Sequence, residues 1–225
     1  MRLSRFPALL AAAALVACGG SSADRAPAGE AGGTVIIASP GEPDVLLPPV
    51  IASLLGKQVV DLVFDHLAQI GDSLGTVGDA GFRPQLAERW TWADDSLSVA
   101  FHLHPRARWH DGAPVRAADV RFSFDLMRDP AVASPHAGQL DGIDSITVRD
   151  SLTAVAWFAG RAPERFFTVA YNLAILPRHL LKDVKRSELR ASEFARRPVG
   201  SGRFRFARWD AGQRVELVAD TANYR

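Results

Sequence analysis

The sequence predicts a mixed α/β domain, because strand and helix periodicities alternate along it. Residues 97–103 alternate apolar and polar side chains, the period of two typical of a half-buried strand. Val120, Phe124 and Met127 recur at helical spacing, and Pro130 ends that stripe. With 48% hydrophobic residues and a net charge of +1, the 225-residue chain can bury a core and has no signature of disorder.

The first 17 residues have the pattern of a secretory signal peptide. Two arginines within residues 1–5 precede an apolar run, residues 6–17, that is shorter than the roughly 20 residues of a membrane-spanning helix. Residues 15–18, Leu-Val-Ala-Cys, resemble a bacterial lipobox, which predicts cleavage before Cys18 and lipidation of its thiol. The alternative is an ordinary signal peptide with an incidental cysteine. Residues 18–33 are rich in Gly, Ser and Ala and are predicted to be a flexible linker.

A strand, a loop and a helix are predicted next. Residues 34–38 are a β-branched apolar run, typical of a strand buried on both faces. Two prolines and a glycine then force a loop that contains Ser39, Glu42 and Asp44. Ligands gather at the carboxyl ends of strands in open α/β sheets, so these three residues are candidates for a ligand cleft. A plain surface turn is the alternative. An apolar stripe over residues 51–63 predicts a helix that packs on the strand.

Three hairpins and two short helices follow. Residues 89–93 are predicted to pair with 97–103 across a polar turn, and a second turn at 109–114 contains Gly112, which can adopt positive φ. Residues 71–81 contain four glycines and are predicted to form a hairpin tip or a loop. The remaining predicted elements are strands at 146–148, 153–158, 203–209 and 214–219 and helices at 163–170 and 178–184.

Several motifs in order resemble one known family. They are Leu-Ala-Glu-x-Trp at 86–90, Trp-His-Asp-Gly-x-Pro at 109–114, Asp-Val-x-Phe-Ser-Phe at 119–124 and Ile-Leu-Pro-Arg-His at 175–179. Together they resemble the peptide and nickel class, family 5, of bacterial extracellular solute-binding proteins, which deliver ligands to ABC importers. Ser96 departs from the family pattern, where a turn glycine is usual. Arg116 departs too, where a Ser or Thr would cap the helix.

The resemblance implies a type II periplasmic-binding-protein fold. Residues 34–66 would begin the ligand-binding lobe, residues 67–197 would form an inserted β-rich subdomain, and residues 198–225 would return to the lobe. The second lobe has no counterpart in this sequence, so the resemblance covers the first part of a receptor.

The resemblance also implies a function. A monomeric, non-enzymatic receptor without a cofactor, held by a lipid anchor at the extracytoplasmic face of the membrane, would close around a peptide, a nickel complex or another small solute. It would then pass the ligand to a permease and its ATPase. Further candidate ligand-binding residues are Tyr171 and Asn172, and Gly200, Ser201 and Gly202 where the chain returns to the lobe.

Two other functions remain open from the residues alone. His102 and His104 lie on one predicted strand face and His110 follows, which could seed the metal site of a secreted hydrolase. A structural envelope lipoprotein is the third possibility. Cys18 is the sole cysteine, so no intrachain disulfide or cysteine zinc site can form. The balanced charge gives no indication of nucleic-acid binding.

Tryptophan side chains could stack a ligand, but core or hairpin packing is the favoured interpretation of Trp90, Trp92 and Trp109, because each lies in or beside a predicted strand or turn.

Overall fold

The computed structural model describes residues 33–225. The predicted signal peptide, Cys18 and almost all of the linker lie outside the described residues. In residues 33–225 the α-helices are α1 (Leu54–Val63), α2 (Ala117–Arg128), α3 (Arg165–Ala170) and α4 (Arg178–Leu181). Short 3-10 helices span Pro48–Val50, Pro130–Val132, Ala137–Leu140, Arg186–Ala191 and Glu193–Ala195. The strands are β1 (Ala68–Ile70), β2 (Phe82–Pro84), β3 (Ala87–Trp92), β4 (Ser98–Leu103), β5 (Ile143–Asp150), β6 (Thr153–Phe158), β7 (Phe204–Asp210) and β8 (Arg214–Ala219).

The predicted buried strand at residues 34–38 is wrong for this structure. These residues form no strand, and Val35, Ile36 and Ile37 are exposed. A strand exists only where a neighbouring strand accepts its backbone hydrogen bonds. No strand among the described residues pairs with this run, so its β-branched composition alone does not make it a strand.

The centre of the molecule is a four-stranded antiparallel sheet in the order β3-β4-β6-β5. Two predicted hairpins form its halves, and the β4–β6 pairing joins them with Phe101 opposite Ala154. Sequence periodicity predicted each hairpin, whereas the β4–β6 pairing joins segments about 50 residues apart. The other sheets are the hairpins β1–β2 and β7–β8.

Turn chemistry fixes the register of the first hairpin. Ser96 has a φ of 56°, the left-handed conformation that favours glycine, and the Asp95 carboxylate accepts the Leu97 N–H at 2.9 Å. The position at which the family usually has a glycine therefore requires positive φ, and Ser96 occupies it in this chain. Gly112 has a φ of 90°, which confirms the prediction for the second turn.

Helix α2 lies between two hydrophobic cores. The predicted stripe of Val120, Phe124 and Met127 packs in the sheet core, and α2 ends before Pro130 as expected. Phe122 and Leu126 belong to a second core around α1. The helix begins without a Ser or Thr cap; instead the Asp119 side chain accepts the backbone N–H of Arg116 at 2.8 Å.

The two cores draw on different parts of the chain. The sheet core includes Leu67, Leu86, Phe101, Trp109, Ile143, Phe158, Phe166 and Ile175. The α1 core includes Val45, Leu46, Leu47, Val50, Ile51, Val60, Val63, Phe64, Leu176, Leu181, Leu189 and Ala195, with Phe206, Trp209, Val215 and Leu217 of the β7–β8 hairpin half-buried against it. Residues 39–225 form one compact unit. None of the helices in residues 33–225 is long and apolar enough to cross a bilayer.

Candidate functional site

The loop predicted to line a cleft is fixed to the start of α1 by Asp44. Its carboxylate accepts the backbone N–H groups of Ala52 and Ser53 at 3.0 and 3.2 Å and the Ser53 hydroxyl at 2.8 Å. Arg190 adds an ion pair at 3.0 Å. Burial works against ionisation, but the hydrogen bonds from Ser53 and Ala52 outweigh it and lower the pKa of Asp44 to about 2. Asp44 therefore stays ionised and shapes the loop.

The other two candidates of this loop are exposed. Glu42 accepts the indole N–H of Trp209, a β7 residue, at 2.7 Å. Arg196 stacks over the Trp209 ring at 4.5 Å. These contacts place the loop beside the β7–β8 hairpin, with Ser39 at its exposed edge.

A cavity of about 70 Å³ lies between α1, α2 and the segment that follows α3. Its walls are formed by Pro48, Pro49, Ile51, Lys57, Val60, Asp61, His66, Ser123, Met127, His136, Gln139, Asn172, Leu173 and Ala174. The candidate Asn172 is one of these residues, and the candidate Tyr171 stacks on the His66 ring at 5.3 Å. Of the candidate ligand-binding residues, only Asn172 lines this cavity, with Tyr171 beside it, whereas Ser39, Glu42 and Asp44 do not line it.

Polar side chains hold the walls of this cavity in place. His136 Nε2–H donates to the Ile51 carbonyl at 2.7 Å, which ties the 3-10 helix at 137–140 to the loop before α1. Lys57 and Asp61 form an ion pair at 2.8 Å on the exposed side of α1. Burial opposes the ionisation of Asp61, yet hydrogen bonds from His66 and Lys57 lower its pKa. Apolar walls with a charged rim can accept a small amphipathic group.

Gly200, Ser201 and Gly202 pack against the end of α1 and do not line the cavity. The Gly202 N–H donates to the Val63 carbonyl at 2.9 Å. A Cβ on Gly200 would lie 1.8 Å from the same oxygen, so only glycine permits this approach. Ser201 is fully buried, and its hydroxyl donates to Asp65 Oδ2 at 3.1 Å. These residues can shape a neighbouring surface, but their own polar groups are largely engaged within the chain.

His110, in the turn at 109–114, holds the turn at 200–202 in place through both of its ring nitrogens. Its Nε2–H donates to the Gly202 carbonyl at 2.9 Å, and its Nδ1 accepts the Gly200 N–H at 3.2 Å. Burial lowers the pKa of His110, which favours this neutral tautomer. Both ring nitrogens are occupied, so His110 is a structural residue here.

The other two histidines of the hydrolase hypothesis have separate surroundings. His102 Nδ1 lies 3.4 Å from the Thr153 hydroxyl, and its pKa is lowered by burial and by Arg89. His104 accepts the Arg106 N–H at 3.2 Å and packs against the tilted ring of Tyr224 at 5.0 Å. In the part of the chain that the structure describes, no group of three or more His, Cys, Asp or Glu residues could hold a metal ion.

Trp90 and Trp92 serve packing in this structure. Both indole N–H groups donate to Asp79 Oδ2, at 2.7 and 3.1 Å, which fixes the predicted loop 71–81 against β3. Both rings also contact Phe166 in the sheet core. Trp109 is fully buried.

Sequence reasoning missed Asp65, which lies next to the candidate Ser201 and is fully buried. Its carboxylate accepts hydrogen bonds from Gln85, Ser201, Tyr224 and Arg225. An available signal was the acidic residue at the end of the apolar run 62–64, because a charge in such a position is retained when partners satisfy it.

The comparisons with known proteins match most of the part of the chain that the structure describes. Residues 81–225 match the family described as bacterial extracellular solute-binding proteins, family 5, middle. The chain belongs to this family. Among solved structures, NikZ from Campylobacter jejuni in complex with Ni(L-His) has a TM-score of 0.70 and 26% identity, over 82% of this chain and 35% of NikZ. AppA from Bacillus subtilis in complex with a nonapeptide has a TM-score of 0.75 at 22% identity, over 83% of this chain and 36% of AppA, which shows the shared fold.

The curated relatives are longer than this chain. A Brucella ovis protein with the provisional name ABC transporter peptide-binding protein is 32% identical over 159 residues, which are 70% of this chain and 29% of the relative. The oligopeptide-binding protein AppA of Bacillus subtilis is 23% identical over 92% of this chain and 38% of its own length. The chain thus spans about a third of these relatives. The predicted type II binding-protein fold is confirmed by these neighbours.

Proposed function

We propose that this chain is part of a receptor that binds a peptide or another small solute outside the cytoplasmic membrane and delivers it to an ABC permease. The observation that carries the proposal is membership of family 5 across residues 81–225. The predicted motifs at 86–90, 109–114 and 119–124 lie inside that span. The receptor works by non-covalent binding, in keeping with the solute-binding role of the family.

A peptide is the ligand that the relatives favour. The Brucella ovis relative carries a peptide-binding name, and Bacillus subtilis AppA is named for oligopeptides. Other members bind different solutes: NikZ is complexed with Ni(L-His), and MoaA of an Agrobacterium is complexed with mannopinic acid. Because fold neighbours differ so widely in ligand, the test needs more than one ligand class.

Three groups of residues are proposed to contribute to binding. The first is the loop with Ser39, Glu42 and Asp44, and the second is the cavity next to Tyr171 and lined by Asn172. The third is the turn at 200–202, whose Ser201 is buried and whose role would be to hold the shape of the site. The cavity is the preferred candidate of the three, because it is a concave site with polar side chains at its rim and contains the candidate Asn172.

The binding experiment is calorimetry with three ligand classes: a degenerate mixture of short peptides, Ni(L-His) and mannopinic acid. The protein is the secreted gene product. Asn172→Ala changes a residue in the cavity wall. It should weaken, by at least fivefold, the affinity for whichever of the three ligands the protein binds. Asp125→Asn, an exposed change on α2, is the control and should leave affinity unchanged. Absence of heat and of any thermal stabilisation with all three classes would contradict a solute-receptor function.

The lipid anchor is a separate proposal that rests on Cys18 and the lipobox-like residues 15–18. Two or more acyl chains would hold the protein stably at the membrane. Metabolic labelling with radioactive palmitate should mark the wild-type protein and not Cys18→Ser. A labelled Cys18→Ser protein, or an unlabelled wild type, would contradict lipidation at this residue.

A further inference from the structure

The carboxylate of Asp65 has no free acceptor site. Oδ1 accepts from Gln85 Nε2 at 3.0 Å and from Arg225 Nη2 at 2.6 Å. Oδ2 accepts from the Ser201 hydroxyl at 3.1 Å and from the Tyr224 hydroxyl at 2.9 Å. A carboxylate offers about four lone-pair sites, and all four are used here. We call these five residues the Asp65 junction.

The junction stands where the chain passes between the two cores. Phe64 belongs to the α1 core and Leu67 to the sheet core, so the chain crosses from one to the other around Asp65. A second crossing occurs at Ile175, in the sheet core, and Leu176, in the α1 core. The Ile175 N–H donates to the Asp65 carbonyl at 2.9 Å, which joins the two crossings.

The partners of Asp65 also come from both sides. Gln85 lies between β2 and β3, and Tyr224 packs in the sheet core. Ser201 belongs to the turn that packs on the end of α1. Asn223 reinforces the arrangement, because its side-chain amide donates to the Ser201 and Gly202 carbonyls, both at 3.0 Å. One carboxylate therefore connects segments that are up to 160 residues apart in sequence.

We propose that Asp65 couples the two cores, so that they unfold as one cooperative unit. We also propose that its negative charge holds the segments 200–202 and 223–225 in place. The Arg225 side chain is 16% exposed, so its charge is largely removed from water and needs this partner. Burial and the Asp65 charge raise the pKa of Tyr224, so its hydroxyl remains a donor. An amide in place of Asp65 would offer one acceptor oxygen to four donors.

Site-resolved hydrogen exchange tests the proposal. Asp65→Asn should speed exchange of the Gly202 and Ile175 amides about 100-fold or more, because removing one partner of a buried pair leaves a buried charge. The β4 and β6 amides should change less than threefold. Asp125→Asn, which changes an exposed carboxylate paired with Arg121 on α2, is the matched control and should leave all these amides within threefold.

A rescue variant separates the charge from general damage. Asp65→Asn combined with Arg225→Met removes both charges, and it should slow the Gly202 amide at least tenfold relative to Asp65→Asn alone. If Asp65→Asn does not fold, Tyr224→Phe, which removes one of the four bonds, should still speed the same two amides selectively, about tenfold. Equal acceleration in both cores, no rescue by the double variant, or an effect no larger than that of Asp125→Asn would contradict this role of Asp65.

Discussion

The sheet core and the α1 core are built by different rules. The sheet core is assembled mostly from neighbouring hairpins and one aromatic centre, Phe166, whose ring contacts Phe82, Trp90, Trp92 and Phe101. The α1 core collects short segments from residues 45 to 217 and leaves apolar side chains such as Leu54, 75% exposed, at the surface. Local pattern specifies the first core, whereas the second depends on close backbone approach and buried polar contacts.

The largest expected effect tests the aromatic centre. Phe166→Ala should lower the free energy of unfolding by about 3–5 kcal/mol, because it removes a fully buried ring and leaves a cavity. Urea unfolding followed by tryptophan fluorescence measures it, since Trp90 and Trp92 contact this ring. Phe204→Ala, at an exposed position of the β7–β8 hairpin, should change stability by only about 0.5 kcal/mol. Similar losses in the two variants would show that the Phe166 ring does not organise the sheet core.

The second prediction tests close backbone approach in the α1 core. Gly200→Ala places a Cβ against the Val63 carbonyl and should destabilise the protein by about 1–3 kcal/mol or prevent folding. Gly160→Ala is the control, because no atom lies within 4 Å of the added carbon. Thermal unfolding compares them. A Gly200→Ala protein as stable as Gly160→Ala would show that the 200–202 turn relaxes freely away from α1.

The division between local and distant contacts also explains what the sequence could predict. The alternation at 97–103 and the stripe of Val120, Phe124 and Met127 report local periods, and both elements lie where they were expected. The helix predicted at 178–184 ends at Leu181, three residues early, and residues 182–184 form a turn instead. The strand predicted at residues 34–38 does not form, because a strand depends on a partner that periodicity does not reveal.

The candidate site was less accessible from sequence for the same reason. The loop 39–44, Tyr171 and Asn172 remain predicted candidates, and only Asn172 of these lines the cavity; nothing local indicated that His66 and His136 help to enclose it. Asp65 has partners at positions 85, 201, 224 and 225, and only the folded chain brings them together. Contacts between residues so far apart in the chain leave no periodic pattern in the sequence.

The third prediction concerns the acid stability of the loop at 39–44, which Asp44 fixes to the start of α1. The folded pKa of Asp44 is about 2, below its ordinary value of 3.8, so its ionisation stabilises the fold above about pH 4. That contribution is lost as the pH falls from about 4 to 2. The stability difference between wild type and Asp44→Asn should therefore shrink across this window in urea titrations. Ser53→Ala, which removes one donor to Asp44, should lose part of the same stability.

The smallest effect tests turn strain in the sheet core. Ser96 holds a φ of 56°, where an L-residue is disfavoured, so Ser96→Gly should stabilise the protein by about 0.5–1 kcal/mol, or roughly 2 °C in Tm. Ser98→Gly, two residues later inside β4, should instead destabilise it by a similar amount, because glycine there gains freedom only in the unfolded chain. If backbone conformation determines stability at these two positions, calorimetry should show a higher Tm for Ser96→Gly and a lower Tm for Ser98→Gly. If both lower Tm, the Ser96 side chain stabilises the turn by more than its left-handed backbone costs.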